Sequence, residues 1–504
     1  MRTARRAWML AVAILPCGVL AQSWQFVPSI SLAETWSDNL QLQPDPFART
    51  GWVTQLTPSL ALDHVGPRLR LSLDYRHQRS YYAGESELDN AQNFLRLAST
   101  YEVIEKLAFI EARANITQEN RSAFGAAVVP GSAAANDNRV ETRMFGISPV
   151  VRGQLGDLAV YQARLNQTEV RTVGGVSVQG STRQDTTELI ASMRSASPSA
   201  RIGWAVDARG LRSRTDAFET LEDRRIRADL IVGIAPQLHV SLVDGYERTD
   251  FTREGTRSDS TPGAGFEWSP SARTQLAAVA QRRFFGTGHL ATFTHRTPRT
   301  AWRVSSSREA SVLSTVLGAS AGTLESLMTD LLTASIPDPV ERTAAARRRL
   351  AGLGAAATTI NTGFLTERPF LDRRIDASVA FIGARNTMTL GYRHSLQTAL
   401  GAAPLSTADS FALSDEIRQR AYSAAWSYRL TPLTSLTLAI NGLRTNGMDS
   451  AAPSSKEDLG TLFLTTRFGP RTSGSFGVRR VEFESNRASS YQETAVFGSL
   501  SFRL

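Results

Sequence analysis

The chain has 504 residues, with 56 Lys and Arg against 47 Asp and Glu, a net charge of +9 and one cysteine. A basic balance can signal nucleic-acid binding, but the arginines recur singly along the chain and form no basic domain, so no nucleic acid is expected. Cys17, the only cysteine, lies in a leader segment, which excludes disulfides, a thiolate nucleophile and a cysteine-ligated metal from everything after it.

Met1–Ala21 carries Arg2, Arg5 and Arg6 and then an apolar run from Ala7 to Leu20. This reads as a secretory signal peptide cut after Ala21. Pro16 disfavours a lipoprotein signal at Cys17. Losing the three leader arginines lowers the net charge by three, to +6. No other apolar run is long enough for a membrane-spanning helix.

From Trp24 to Leu504 the sequence falls into period-two segments. In Arg68–Arg76, Leu69, Leu71, Leu73 and Tyr75 alternate with Arg70, Ser72, Asp74 and Arg76. Arg225–Ile234 sets Ile226, Ala228, Leu230 and Val232 against Arg225, Arg227 and Asp229. The same pattern recurs at Arg374–Phe381 and Tyr422–Arg429 and closes the chain, where Val496, Gly498, Leu500, Phe502 and Leu504 share one face. Alternation gives each strand one apolar and one wet face. The segments run about ten to fourteen residues, long for a soluble sheet and suited to crossing a bilayer at a tilt.

Short connections, mostly rich in Pro and Gly, alternate with long ones. The short ones are Val65–Pro67, Val103–Lys106, Gly153–Gly156, Ser197–Ala200, Ala235–Gln237, Ser269–Ala272, Thr297–Thr300, Gly383–Asn386, Thr431–Thr434 and Gly469–Thr472. Long ones include Ser37–Arg49, Glu119–Asn138 and Thr398–Ser414. The expected fold is therefore all-β: a transmembrane antiparallel β-barrel over 22–504, of about 22 strands (range roughly 18 to 22), with both termini in the periplasm. The segments near Thr261–Trp268 and His289–Arg296 are its weakest strands.

Ser311–Phe370 alone abandons period two. Val312–Leu332 and Val340–Leu353 have helical spacing, separated by Pro337-Asp338-Pro339. This insert has two readings, a plug folded into the lumen or an external cap, and a gate containing Arg347, Arg348 and Arg349 follows from the first.

Motifs for chemistry are sparse. Gly318–Gly322 matches G-x-S-x-G but lies in the helical insert, not on a strand-to-helix elbow. His289 and His295 can share a strand face, yet the six histidines show no metal-binding spacing. Asn136-Asp137-Asn138 lacks the spacing of a calcium loop and reads as an exposed loop. No catalytic residue, metal or cofactor is assigned. What remains is the lumen. Placing the more apolar face toward lipid leaves Arg70, Arg76, Arg96, Arg164, Arg209, Arg225, Arg227, Arg374, Arg393, Arg429, Arg467 and Arg479 inside, with Asp74, Asp207, Asp229 and Asp376. Pairing across strands accounts for much of this charge, and the arginine surplus favours a polyanionic or hydroxyl-rich solute.

The stretch Pro28–Leu40, with Glu34-Thr35-Trp36-Ser37-Asp38-Asn39 at its centre, resembles the opening of the PEP-CTERM system-associated outer-membrane proteins. Similarity continues through Val53–Leu62 with Pro58, then Asp74-Tyr75, Tyr81-Tyr82, the Pro337-Asp338-Pro339 insert and Gly363-Phe364-Leu365-Thr366. The resemblance implies an outer-membrane protein linked to exopolysaccharide and exosortase loci, and no catalytic site. The expected partners are outer-membrane lipid, a polysaccharide, and periplasmic or inner-membrane exopolysaccharide machinery. The function expected is exopolysaccharide export. A structural barrel that anchors surface polysaccharide is the second reading, and a barrel-embedded hydrolase or deacylase the third. Little sequence precedes the first strand, which disfavours a TonB-dependent importer with an N-terminal plug.

Overall fold

In a computed structural model of the chain, the described residues are 24–504 apart from 130–131, 174–182, 197–200, 216–219, 253–254, 315–322, 335, 337–341, 344, 347–348, 350–361, 402–408 and 450–451. The signal segment Met1–Ala21, Gly318–Gly322, Pro337–Pro339, Arg347 and Arg348 thus lie outside them.

Twenty-three antiparallel strands, numbered β1 to β23 along the chain, form one sheet. Each pairs with its sequence neighbour, except that β12 (Arg257–Ser260) and β13 (Gly263–Ser271) both pair with β11 (Leu238–Thr249) and not with each other. β1 (Trp24–Ser37) also pairs with β23 (Tyr491–Arg503), from Ser29↔Arg503 to Ser37↔Ala495. The sheet is therefore a closed barrel with no free edge, as a bilayer demands of a β-protein. Strands outside β12–β15 run 12 to 17 residues.

Two of the strands share one position. β12 (Arg257–Ser260) and β13 (Gly263–Ser271) both pair with β11 (Leu238–Thr249), so 23 strands make 22 staves. The break falls at Thr261-Pro262, where proline has no N–H to give the ladder. Close packing continues around it, since a Cβ on Gly245 would sit 2.3 Å from the Ile226 carbonyl oxygen. The weakest stretch of the sequence is thus a strand, interrupted once.

Ten short turns lie at one end and eleven connections, mostly long, at the other. The turn read at Gly153–Gly156 falls slightly later: Gly153 is inside β6 (Arg139–Leu155), and Gly156 takes φ 52° as the chain reverses.

Directly paired residues point to the same side of a sheet, so the register fixes both faces. The outward face carries Leu69, Leu71, Leu73 and Tyr75 of β3 (Leu69–Tyr82) and their partners His64, Leu62 and Leu60. Exposed Trp24, Trp268, Trp302, Trp426 and Phe502 stand outward near the short-turn end. An apolar band edged by aromatics is the surface of a transmembrane barrel.

Candidate functional site

The inner wall follows from the same register. Ser37 pairs with Gly51 and Thr35 with Val53, and the inward parity passes strand by strand around the barrel and back to β1 without conflict. All twelve arginines assigned to the lumen fall on the inward face. They do not gather into one cluster but are spread around the wall.

Seven of the twelve hold inward carboxylates. Arg164 makes a two-pronged pair with Glu111, both bonds at 2.9 Å. Arg209 donates to Glu188 at 2.7 Å, and Arg227 lies 2.8 Å from Asp207 and 3.0 Å from Asp229. Arg374 pairs with Asp372, Arg393 with Asp376, and Arg76 with Asp74 while also covering the Phe94 ring. Arg479 is buried against Glu493 at 2.8 Å. Pairing, across strands for five and along one strand for Arg76–Asp74 and Arg374–Asp372, therefore takes up seven of the twelve and leaves Arg70, Arg429 and Arg467 at the short-turn end. Arg96 and Arg225 also face inward, on the walls of β4 (Asn90–Ile104) and β10 (Leu221–Ala235).

Sequence reasoning missed a second fully buried pair, comparable to Arg479–Glu493. Arg283 and Glu247 are 6% and 1% exposed, with Arg283 Nε 2.8 Å from Glu247 Oε2. Both sit in the weakly patterned β11–β14 region, where only strict inward parity, counted from neighbouring strands, would have marked them.

The insert lies against this inner wall. Its helix, Thr323–Leu331, packs Leu327, Met328 and Leu331, with Leu332 just after it, against inward Ala301 and Ala380. Small residues on the wall are what let a helix approach so closely. Asp330 on the helix accepts from Arg303 of β16 (Thr300–Ser311) at 2.7 Å. Ala301 and Ala380 are close to the short turns, so the insert, which enters at Ser311, reaches the opposite end of the lumen. Arg349 continues the same path. Burial first, and then the nearby charge of Arg429, push its pKa below the ordinary guanidinium value.

At the long-loop mouth, loops fold inward onto the wall. Leu40, Val53, Tyr82 and Ala133 form one apolar patch, and Ala123, Phe124, Phe364, Phe370, Phe411 and Ile417 another. Val312 and Leu313, at the root of the insert, pack against Leu211 and Phe251 and against Met144 and Val170. Backbone groups of this cap are satisfied by the wall: Ala127 N–H donates to Glu457 at 2.7 Å, and Tyr82 Oη donates to the Ala133 carbonyl at 2.6 Å. Asn136 and Asn138 are not simply exposed loop residues. Their amides donate to the carbonyls of Ala127 at 3.1 Å and of Ser122 and Ala126 at 3.0 and 2.9 Å, stapling the loop in place. Asp409, which accepts from Phe411 N–H and the Thr366 hydroxyl, is raised above the usual carboxylate range by burial.

Residues 34–39 have a structural role. The Ser37 hydroxyl donates to Glu493, Asp38 accepts from Thr494 N–H at 2.7 Å, and Asn39 Nδ2 donates to the Gln492 carbonyl at 2.9 Å. The stretch thus locks the first strand to the last. Phe364, within Gly363–Thr366, bridges to Asn120.

No known protein-family profile and no curated protein matches the chain. Solved barrels do. A mutant of the ferric enterobactin receptor PfeA from Pseudomonas aeruginosa is 8% identical, over 95% of this chain and 80% of that one, with a TM-score of 0.46. The FrpB iron transporter from Neisseria meningitidis is 10% identical, over 96% and 83%, with a TM-score of 0.49. OpdK from Pseudomonas aeruginosa is 8% identical, over 95% and 99%, with a TM-score of 0.35.

His289 and His295 do share a face, the outward one. Each is hydrogen-bonded to a neighbouring hydroxyl, Ser306 and Thr274, at 2.9 Å. Among the described residues no group of His, Asp and Glu is arranged to hold a metal. The arrangement is a closed barrel with a charged lumen and an insert folded into it.

Proposed function

We propose that the protein is an outer-membrane channel for export of an exopolysaccharide, shut at rest by the insert and the loop cap. The observation that carries this is the helix Thr323–Leu331 seated on the inner wall and tied to it by Arg303–Asp330. A hydrated wall lined by arginine, aspartate and glutamate suits a hydroxyl-rich or anionic polymer. Outer-membrane residence and a link to exopolysaccharide machinery also follow from the resemblance of residues 28–40.

The test is a deletion strain scored for polymer on the cell surface and in the periplasm. Loss from the surface with periplasmic accumulation is expected. Normal secretion overturns the export reading. The apolar clusters at the long-loop mouth favour a second reading, a barrel that anchors surface polysaccharide without conducting it. Under that reading, polymer is secreted into the medium but no longer stays on the cell.

A further inference from the structure

The two ends of the barrel carry opposite charge. Turn residues Arg68, Arg201, Arg273, Arg299, Arg385 and Arg471 are all exposed at the short-turn end. The acids on those turns are Glu105, which pairs with Lys106, and Asp157. At the opposite end, loops 38–50 and 83–89 hold Asp38, Asp45, Glu85, Glu87 and Asp89 against Arg49 alone, and loop 448–453 holds Asp449 and no base. None of the six turn arginines makes an ion pair among the described residues.

A second tier lies just inside. Arg70, Arg152, Arg194, Arg429 and Arg467 each fall within four residues of a short turn and Arg503 is next to the last residue, all exposed and all on the inward face by register, with the acids Asp63 and Glu102 among them. Arg349, near Arg429, carries the positive line onward to the insert, whereas Arg303 is matched by Asp330. The deeper wall is different, because there arginines are matched by carboxylates.

We propose that the short-turn end is an electrostatic funnel that captures a polyanionic polymer and directs it into the lumen. The proposal rests on the export reading and adds to it the charge class of the cargo and the end at which it enters. Arginine stays charged at every physiological pH, so the collar is permanent. Neighbouring short turns are two strands, about 9.6 Å, apart, comparable with the screening length of about 8 Å at physiological salt, so the fields of Arg273, Arg299 and Arg385 on three consecutive turns partly overlap. A ring of separated charges rewards a ligand with many charges over a single small anion, because each contact releases a counterion. Anionic lipid headgroups share this chemistry, but the inner tier faces away from lipid, which favours a solute inside the barrel. The acidic loops at the far end repel the same polymer and so oppose entry from that side.

The test uses the full-length mature barrel in nanodiscs of phosphatidylcholine, which offer no anionic lipid. Fluorescent dextran sulfate and uncharged dextran of the same length are the probes. The unmodified barrel is expected to bind dextran sulfate, more weakly as salt rises, and not to bind dextran. R68E/R299E/R385E/R471E should weaken dextran sulfate binding by about tenfold or more. D45N/E87Q/D449N, at the other end, should leave it unchanged. Heat-modifiable gel migration checks that each variant is folded, and the glutamine series at the same four positions replaces any that is not. Equal binding by the collar variant, or equal binding of uncharged dextran, overturns the funnel. Failure of the export reading looks different: the deletion strain secretes normally while purified barrel still binds dextran sulfate through the collar.

Discussion

Arg303 on the barrel wall and Asp330 on the insert's helix meet at 2.7 Å, an ion pair that joins a strand to the helix inside the lumen. The two side chains are 31% and 46% exposed, so the pair itself contributes under about 1 kcal/mol. Its consequence is positional. Asp330→Ala should leave the barrel's thermal stability nearly unchanged and raise the frequency of open events in planar bilayers. A variant as silent as the parent shows that the Ala301/Ala380 contact alone holds the helix.

Removing the whole obstruction is the stronger version. Residues 312–369 can be replaced by a short Gly-Ser linker, because Ser311 and Phe370 already pair across β16 and β17 (Phe370–Ile382). Single-channel conductance is expected to rise while the heat-modifiable band persists. Unchanged conductance means the loop cap, not the insert, sets the resting resistance.

The register predicts opposite tolerance at adjacent positions. Leu60 faces outward and Ser59 inward, midway along β2 (Gly51–Val65). Leu60→Arg should destabilise the barrel by about 2–4 kcal/mol near the bilayer midplane, and Ser59→Arg by far less. Folding titrations into lipid vesicles measure both, and equal costs at the two sites contradict the face assignment.

The buried Arg283–Glu247 pair should behave as a unit. Glu247→Ala leaves a guanidinium buried without its partner and should cost about 3–5 kcal/mol. The double replacement E247L/R283M should recover much of that loss, since it removes both charges together. Chemical denaturation in vesicles decides between this and two independent, additive losses.

Asn39 is 1% exposed and donates to the carbonyls of Gln492 and Gln43 at 2.9 and 2.7 Å. Asn39→Ala should cost about 2–3 kcal/mol by stranding those acceptors at the seam. The loss should appear as a lower temperature for the gel-mobility transition. An unchanged transition means the β1–β23 ladder closes the barrel without the lock.

Residues alone determined the architecture. A period of two sustained over long strands, with short turns alternating with long loops, allows only a barrel, because a bilayer leaves no open edge satisfied. Face assignment was equally legible: Leu71 out and Arg70 in follow from alternation, and every one of the twelve arginines obeys it. The partners were not legible. Glu111, Glu188 and Glu493 meet their arginines across one or two strand boundaries, and a residue's neighbour two strands away depends on register, which is set by the whole closed sheet. The insert was visible as a break in period, but its direction was not, since apolar helical spacing fits a plug and a cap alike. Tertiary structure decided it by supplying small alanines on the wall and an arginine opposite Asp330. The role of residues 34–39 was hidden for the same reason. Ser37, Asp38 and Asn39 bind Gln492, Glu493 and Thr494, more than 450 residues away in sequence, and only closure of the barrel brings those two stretches together.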